Sequence, residues 1–351
     1  MIKVFRSLLI LFSYVTIFSV YVEAVAVGSI AEVQSHVFTH KTTYGKDRLW
    51  VALDLDNTVM HPDHKDLLCS DQWWEATINY LKGQHLSHIS EANVFDISVS
   101  IVSPPYFDIQ NVLRMRLVEE QMGTFIRELQ VAGISVIGLT ARSHQQVACT
   151  MRQLGDIDVD FSRTCPTPGE EMHLQHTKGF APCYVNGILF CSFNPKGGVL
   201  SDFINAMKAD KKPSSLIFID DKEKHVNCVG GAVEALNIPY LGLRYGAADQ
   251  LVKSYVLPET TKKLFDALMH PDYLQAVDKD KTLIRARLIK QHLGITIDDV
   301  EKAPAIIDTQ LKNLNQELTE SKSLTAKRHY NKAGNQNLVR GNNVTKITTG
   351  S

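Results

Sequence analysis

The chain has 351 residues, of which 44% are hydrophobic and 21% are charged. This composition excludes a wholly disordered chain, a collagen-like repeat and a small disulfide-rich scaffold, and the length suits one large or two modest domains. The 37 basic and 38 acidic residues give a formal net charge of −1, which argues against a nucleic-acid partner. The charge is unevenly spread, because residues 1–24 carry +1, residues 25–320 carry −8 and residues 321–351 carry +6.

The N-terminal segment has the composition of an export signal. A short basic start precedes an apolar run from Leu8 to Val22, and the small residue Ala24 follows it. The run is short for a transmembrane helix, which needs about 20 apolar residues. We predict a signal peptide over residues 1–24 and an exported protein, periplasmic or secreted, with no membrane span after cleavage. An uncleaved anchor helix is the alternative.

Four apolar runs further along the chain are typical of buried β-strands, and helical patterns lie between them. The predicted strands cover residues 49–56, 134–139, 215–220 and 238–245. The predicted helices cover residues 111–130, 144–154, 198–209 and 222–236. This alternation of strands and helices predicts an α/β fold with a doubly wound, Rossmann-like parallel sheet.

The dipeptide Asn186-Gly187 indicates a hairpin, because it suits the two positive-φ positions of a type I′ turn. A two-residue turn would place Cys183 opposite Phe190. Cys183 and Cys191 would then point to opposite faces of the hairpin and form no disulfide. A three-residue loop would reverse that conclusion.

The chain has six cysteines, an even number that would allow disulfides in the oxidising compartment expected of an exported protein. Cys149 and Cys228 fall in predicted helices beside buried strands, and we interpret both as core thiols. No cysteine is assigned a catalytic role.

Two segments lack the alternation of the core. Residues 59–110 have an irregular pattern with Pro104-Pro105 near their end, and residues 258–300 have helical patterns. Aromatic residues in the first segment either line a substrate pocket or form a small core of their own: Trp73, Trp74, Tyr80, Tyr106 and Phe107. From residue 304 the apolar periodicity fades, so the basic end is predicted to be disordered, with contact to an anionic partner as the alternative.

Reactive side chains follow three of the predicted strands. In an open α/β sheet, ligands bind beyond the carboxyl ends of the strands, so polar residues there are informative. The residues at these ends are Asp54, Asp56, Thr140, Arg142, Asp220 and Asp221. Lys196 stands before two glycines at the start of a predicted helix.

These residue types suit attack on a phosphorus centre. One carboxylate can act as the nucleophile and form a covalent intermediate, and a second can act first as an acid and then as a base. A hydroxyl and an ammonium group can bind the phosphoryl oxygens. The remaining carboxylates can hold Mg²⁺, which prefers oxygen ligands and offsets the repulsion between clustered acids and an anionic substrate.

Four motifs occur in order between residues 49 and 245, namely LDLDNT, GLTAR, NPKGG and FIDD. With these motifs the chain resembles the haloacid dehalogenase (HAD) superfamily of phosphohydrolases and phosphotransferases. More narrowly, it resembles exported bacterial HAD-like proteins of uncharacterised function. It has DxDNT where one group of secreted acid phosphatases has DxDET, a departure that leaves the catalytic pattern intact.

The resemblance implies a role for each motif residue. Asp54 would be the nucleophile and Asp56 the general acid/base. An aspartate at the second position points to phosphate transfer rather than dehalogenation. Thr140, Arg142 and Lys196 would bind the phosphoryl group of the substrate, and Thr140 and Lys196 would also contribute to catalysis.

The resemblance also implies bound Mg²⁺. Its ligands would be Asp54, the backbone carbonyl of Asp56, and Asp220 or Asp221, with the inner-shell member of the last pair left open. Lys178 is the alternative to Lys196, which is preferred because a Lys-Gly-Gly helix start suits a bound phosphate. His225 is interpreted as a helix-surface residue, with substrate contact as the alternative.

The resulting hypothesis is a Mg²⁺-dependent phosphatase that hydrolyses a phosphomonoester of unknown identity through an aspartyl-phosphate intermediate. The alternatives are a phosphotransferase with the same site and a non-catalytic secreted HAD-fold binding protein. The predicted domains are a catalytic core (25–58 and 111–250), a cap inserted after the first strand (59–110), a helical C-terminal extension (251–303) and the basic tail (304–351).

Overall fold

The computed structural model of the chain describes residues 24–67, 70–174 and 180–297. Most of the predicted signal peptide, the predicted tail and Lys178 lie outside these residues. The described chain divides into two compact units. The first unit contains residues 24–61, 117–144, 157–174 and 180–253, and the second contains residues 62–67, 70–116, 145–156 and 254–297.

The strands and helices alternate over most of the described chain. The strands are β1 (Val25–Val27), β2 (Leu49–Leu53), β3 (Met60–Pro62), β4 (Met115–Leu117), β5 (Ser135–Thr140), β6 (Met172–His173), β7 (Cys183–Val185), β8 (Ile188–Phe190), β9 (Ser215–Asp220) and β10 (Tyr240–Tyr245). The helices are α1 (Ile30–Tyr44), α2 (Ser70–Gln84), α3 (Glu91–Gln110), α4 (Gln121–Val131), α5 (Val147–Asp156), α6 (Lys196–Ala206), α7 (Glu223–Glu234), α8 (Asp249–Ser254), α9 (Glu259–Leu268), α10 (Pro271–Gln275) and α11 (Asp278–Leu293).

The first unit is built on one mainly parallel sheet with the strand order β1-β10-β9-β2-β5-β8-β7-β6. Neighbouring strands from β1 to β8 in that order run parallel, and β7 and β6 are antiparallel additions at one edge. Strand β2 is buried along its whole length, and so is β9. Such continuous apolar runs belong to parallel strands covered by helices on both faces, which confirms the predicted α/β class with a mainly parallel sheet.

The sheet brings three strand ends to one edge. Leu53 at the end of β2 pairs with Ile219 of β9 on one side and with Gly138 of β5 on the other. Strand β9 has its predicted bounds, whereas β2 ends at Leu53, so the polar residues that follow it belong to a turn. The reactive side chains of the sequence motifs therefore lie at the carboxyl edge of the central strands.

The prediction of one helix over residues 111–130 is wrong in its first half. Residues 115–117 form strand β4, and the helix begins only at Gln121. The Val118 amide donates to the Val59 carbonyl, and the Glu119 carboxylate accepts from the Ile30 amide and the Tyr245 hydroxyl. These long-range bonds hold the segment extended, although its apolar spacing is helical.

The hairpin has the predicted two-residue turn. Asn186 and Gly187 have φ values of 48° and 83°, and Cys183 lies opposite Phe190. The Gly187 position also requires glycine because a Cβ atom there would lie 2.4 Å from the Phe161 carbonyl oxygen. Cys183 and Cys191 are both buried free thiols, which confirms that they form no disulfide.

The interpretation of Cys149 and Cys228 as core thiols is half confirmed. Cys149 is buried, but Cys228 is exposed. The buried face of α7 is formed by residues at helical spacing, namely Val226, Val229, Gly230 and Val233. Cys228 falls outside this stripe, so its sulfur faces away from the core.

The second unit is helical where the sequence predicts irregular structure. Helices α2 and α3 occupy most of residues 59–110, and Pro104-Pro105 lies inside α3. The Trp73 ring contacts the rings of Tyr106 and Phe265, and its indole N–H donates to the Thr261 hydroxyl 3.1 Å away. Trp73 therefore belongs to a core of this unit, and the periodicity of α3 was hidden because Ser98 and Pro105 occupy buried positions on that helix.

The C-terminal part of the second unit consists of helices α9, α10 and α11, which confirms the helical pattern predicted after residue 258. Arg285 of α11 forms a buried ion pair with Asp108 of α3. Within the residues that the structure describes, no helix is both long and apolar enough to cross a membrane. The assignment of residues 59–110 as a cap stays a prediction.

Candidate active site

The site lies in the first unit, where two hydrogen bonds join the ends of β2 and β9. The Asp54 amide donates to the Ile219 carbonyl at 2.9 Å, and the Asp221 amide donates to the Thr58 hydroxyl at 3.0 Å. Asp54 directly follows β2, and Asp220 is the last residue of β9. The sheet register therefore places these two carboxylates side by side.

Lys196 lies between the two carboxylates. Its Nζ atom is 2.6 Å from Asp54 Oδ1 and 2.6 Å from Asp220 Oδ2, and all three side chains are almost fully buried. Lys196 is the first residue of α6, whose next residue, Gly197, lies against helix α7. A Cβ atom on Gly197 would lie 2.2 Å from the Cys228 carbonyl oxygen, so this glycine permits the close packing that positions the lysine.

Burial and neighbouring charges separate the pKa values of the two carboxyl groups. Burial raises the pKa of Asp54 from 3.8 to about 7, with Lys196 opposing this rise and Asp220 adding to it. Burial also acts to raise the pKa of Asp220, but Lys196 and His225 outweigh it and lower the pKa to about 2. The pKa of Lys196 is raised, because the two carboxylates outweigh the effect of its burial. Asp220 and Lys196 are therefore a fixed pair of opposite charges, whereas Asp54 titrates near neutral pH.

Asp56 is bound by Arg142 in a two-pronged ion pair. Arg142 Nε is 2.8 Å from Asp56 Oδ2, and Arg142 Nη2 is 2.8 Å from Asp56 Oδ1. The Arg142 side chain is 3% exposed and the Asp56 side chain 19%, so the carboxylate lies on the more open side of the pair. The Arg142 amide donates to the Thr140 hydroxyl oxygen at 3.2 Å, and the Thr140 O–H can still donate to a ligand.

His225 is a member of the site whose role the sequence analysis missed. Its Nδ1 atom lies 3.3 Å from Asp220 Oδ2. Helix α7 begins at Glu223, so His225 stands in the first turn of the helix that follows β9. That position could have indicated the contact, because the first turn after a strand faces back toward the end of the strand.

The carboxylates form a group that suits a divalent cation. One oxygen atom each of Asp54, Asp220 and Asp221 lies within 4.8 Å of the other two. Four carboxylates, counting Asp56, and the two cations Lys196 and Arg142 leave a formal charge of −2 at the site. Hard oxygen ligands and this residual charge fit Mg²⁺.

The structure brings together every motif residue that the sequence analysis selected. Lys196 contacts both Asp54 and Asp220, and Asp56 contacts Arg142. The Asp221 amide contacts Thr58 in the turn after β2, and the Thr140 hydroxyl contacts the Arg142 amide. Their roles in binding and catalysis stay predictions.

This chain matches a protein-family model and is similar to known bacterial proteins. A family model described as "Protein of unknown function (DUF2608)" matches residues 26–279. A "Putative outer membrane protein" of Chlamydia trachomatis serovar D is 25% identical over 228 residues, which cover 62% of this chain and 80% of that protein. A "Putative outer membrane protein" of Chlamydia muridarum is 26% identical over 239 residues, which cover 68% of this chain and 82% of that protein. One of Chlamydia pneumoniae is 26% identical over 220 residues, which cover 62% and 78% respectively.

Proposed function

Since this chain belongs to the DUF2608 family, which is described only as proteins of unknown function, we propose its function from the chemistry of the site. We propose a Mg²⁺-dependent phosphatase of the HAD type that hydrolyses a phosphomonoester through an aspartyl-phosphate on Asp54. The observation that carries this proposal is the position of Lys196, 2.6 Å from both Asp54 and Asp220, beside three carboxylates whose oxygens lie within 4.8 Å of one another.

Asp54 is suited to attack because its carboxylate is buried and held by one lysine. In the first step an Asp54 oxygen forms a bond to phosphorus while the bond to the leaving oxygen breaks, and Asp56 donates a proton to that oxygen. In the second step the oxygen of a water molecule forms a bond to phosphorus and the water gives a proton to Asp56, while the bond between phosphorus and the Asp54 oxygen breaks. Phosphate is released and the Asp54 carboxylate is restored. Lys196 and the Thr140 hydroxyl bind the phosphoryl oxygens as charge develops on them.

Mg²⁺, when bound, would supply positive charge opposite the phosphoryl oxygens and offset the −2 charge of the site. Asp54, Asp221 and the backbone carbonyl of Asp56 are the residues that we assign to hold it most directly. Both oxygens of Asp220 already accept hydrogen bonds, Oδ1 from the Lys222 amide at 2.8 Å and Oδ2 from Lys196. Asp220 is therefore better suited to orient Lys196 than to bind the ion.

We further propose that the protein acts in the cell envelope. Its relatives are named as putative outer membrane proteins, and its first 24 residues have the composition of a signal peptide. Both features favour export.

The test measures hydrolysis of 4-nitrophenyl phosphate by the purified protein, with Mg²⁺ and with a chelator, beside Asp54→Asn. A matched control is Asp202→Asn, which removes an exposed carboxylate from helix α6. Metal-dependent turnover that is lost in Asp54→Asn and kept in Asp202→Asn would support the proposal. Equal background rates in all three proteins would contradict it, and transfer of phosphate to an added alcohol in place of water would favour the phosphotransferase.

A further inference from the structure

We infer that Arg142 is a positioning residue that orients Asp56 for proton transfer, rather than a ligand for the phosphoryl group of the substrate. The inference rests on the proposed function and gives this arginine a different role from the one that the resemblance implied. It is carried by the paired hydrogen bonds from Arg142 Nε and Nη2 to the two oxygens of Asp56, both 2.8 Å long.

The geometry of this pair fixes the plane of the Asp56 carboxyl group. A guanidinium group is a flat fork, and two parallel bonds to a carboxylate hold both groups in one plane, which a lysine cannot do. Each carboxylate oxygen has two lone pairs, and Arg142 uses one of them on each oxygen. The plane of the carboxyl group in turn sets the direction in which a proton on Asp56 points.

The backbone of Arg142 is itself held in place by the loop that follows β8. The amides of Cys191, Phe193 and Ser192 donate to the carbonyls of Thr140, Ala141 and Arg142 at 2.8, 3.1 and 3.0 Å. Ser192 and Phe193 have φ values of 49° and 63°. This uncommon left-handed backbone turns three successive amides toward the chain that carries Arg142. The backbone that carries the Arg142 guanidinium group is therefore held by three hydrogen bonds.

Burial places Arg142 behind Asp56 as seen from solvent. The arginine side chain is 3% exposed and the aspartate side chain 19%, so a substrate that enters from solvent reaches the carboxylate on the more open side. An arginine that bound the phosphoryl group directly would have to present its donors on that side. Two of its N–H groups, on Nε and Nη2, are directed at Asp56 instead.

In the proposed reaction Arg142 keeps its proton throughout. The proton on Asp56 moves to the leaving oxygen, which also takes the electron pair of the broken phosphorus–oxygen bond. The attacking water then returns a proton to Asp56. Loss of the Arg142 guanidinium group should therefore slow hydrolysis most for substrates whose leaving oxygen needs that proton.

The experiment compares Arg142→Gln and Arg142→Lys with wild type on two substrates. One is 4-nitrophenyl phosphate, whose leaving group departs without protonation, and the other is an alkyl phosphate, whose leaving group needs it. We expect kcat/KM on the alkyl phosphate to fall by about 10²-fold, the scale of general acid catalysis, with kcat/KM on the aryl phosphate changed less than about threefold. The comparison uses kcat/KM because this ratio covers only the steps up to departure of the leaving group, whereas kcat also includes the second step, in which Asp56 acts as a base for both substrates.

Two further measurements separate positioning from a structural role. In Asp56→Asn the loss on the alkyl phosphate should be as large as in Arg142→Gln, and the double variant should lose no more than either single one, because the two residues act as a unit. Arg127→Lys is the control, since Arg127 forms an exposed ion pair with Asp158 at 3.0 Å in the same unit. Arg142→Lys keeps the charge that compensates Asp56, so it provides a folded variant if Arg142→Gln unfolds.

The possible results are distinguishable. An equal loss of kcat/KM on both substrates would overturn the inference, because a ligand of the phosphoryl group acts on both alike, and would leave the phosphatase proposal standing. Wild-type protein that hydrolyses neither substrate would overturn the proposed function and the positioning role together.

Discussion

Replacement of Asp54 by asparagine should change the pH dependence of stability in a defined direction when no metal is present. Asp54 has a pKa of about 7 in the folded chain, against 3.8 for the ordinary side chain. A raised pKa means that the folded state binds the proton more tightly than the unfolded state. The resulting stability is complete below pH 3.8 and is lost as the pH rises through 7. Asparagine resembles the protonated side chain at every pH, so the variant should not show this loss.

The size of this loss of stability follows from the shift in the pKa of Asp54. A rise of about three pKa units corresponds to about 4 kcal/mol over the whole titration, at about 1.4 kcal/mol per unit. Between pH 5 and pH 8 the wild type should lose roughly 2.5 kcal/mol of unfolding free energy relative to Asp54→Asn. The lowered pKa of Asp220, about 2, affects stability only in the acidic range below about pH 4, so it does not disturb this window.

The assay is urea denaturation of wild type and Asp54→Asn at pH 5 and pH 8 in the presence of a chelator, repeated at pH 8 with Mg²⁺. Asp202→Asn controls for loss of a surface charge. Mg²⁺ at about one hundred times its Kd should stabilise the wild type by about 2.7 kcal/mol and stabilise Asp54→Asn much less. If the two proteins lose stability equally between pH 5 and pH 8, burial does not raise the pKa of Asp54 in the folded chain. If Mg²⁺ stabilises both equally, Asp54 is not a metal ligand.

Two further predictions concern helix packing and thiol accessibility in the first unit. Gly197→Ala should destabilise the protein by about 2 kcal/mol or more, because its Cβ would lie 2.2 Å from a carbonyl oxygen, whereas Gly198→Ala, with nothing within 4 Å, should be neutral or stabilising by up to about 1 kcal/mol. Thermal or urea unfolding of the two variants tests this, and equal effects would contradict the close packing of α6 on α7. In native protein, a thiol reagent followed by peptide mass spectrometry should label Cys228 well before the buried cysteines 165, 183 and 191, since burial raises the pKa of Cys183 to about 11. Labelling of Cys183 or Cys191 as fast as Cys228 before unfolding would show that the hairpin region opens readily.

The central strands illustrate what could be predicted without a structure. Runs such as 49–53 and 215–220 are apolar at every position, which is the pattern of a strand covered on both faces. The two-residue turn at Asn186-Gly187 was equally clear, because its backbone conformation is demanded by residue type. Both patterns depend only on residues that are neighbours in the chain, so a single sequence is enough to recognise them.

The predictions that were wrong concern features that depend on residues far apart in the chain. Residues 115–118 have helical spacing but are held extended by partners far away in the chain, such as Val59. The sequence does not predict helix α3 because Ser98 and Pro105 occupy buried positions and interrupt the apolar pattern of the helix. Exposure of Cys228 depends on which face of α7 packs against the sheet.

Residue type and order along the chain are enough to place Asp54, Thr140 and Asp220 at strand ends, because each of them ends or follows an apolar run. The pairing of those side chains with one another depends on the folded chain. Lys196 lies between two carboxylates, and Arg142 pairs with Asp56, from which it is separated by 86 positions along the chain. Such pairings are set by the register of the strands and the packing of α6 on α7. These ion pairs form only when the chain folds, because folding brings the charged groups close together.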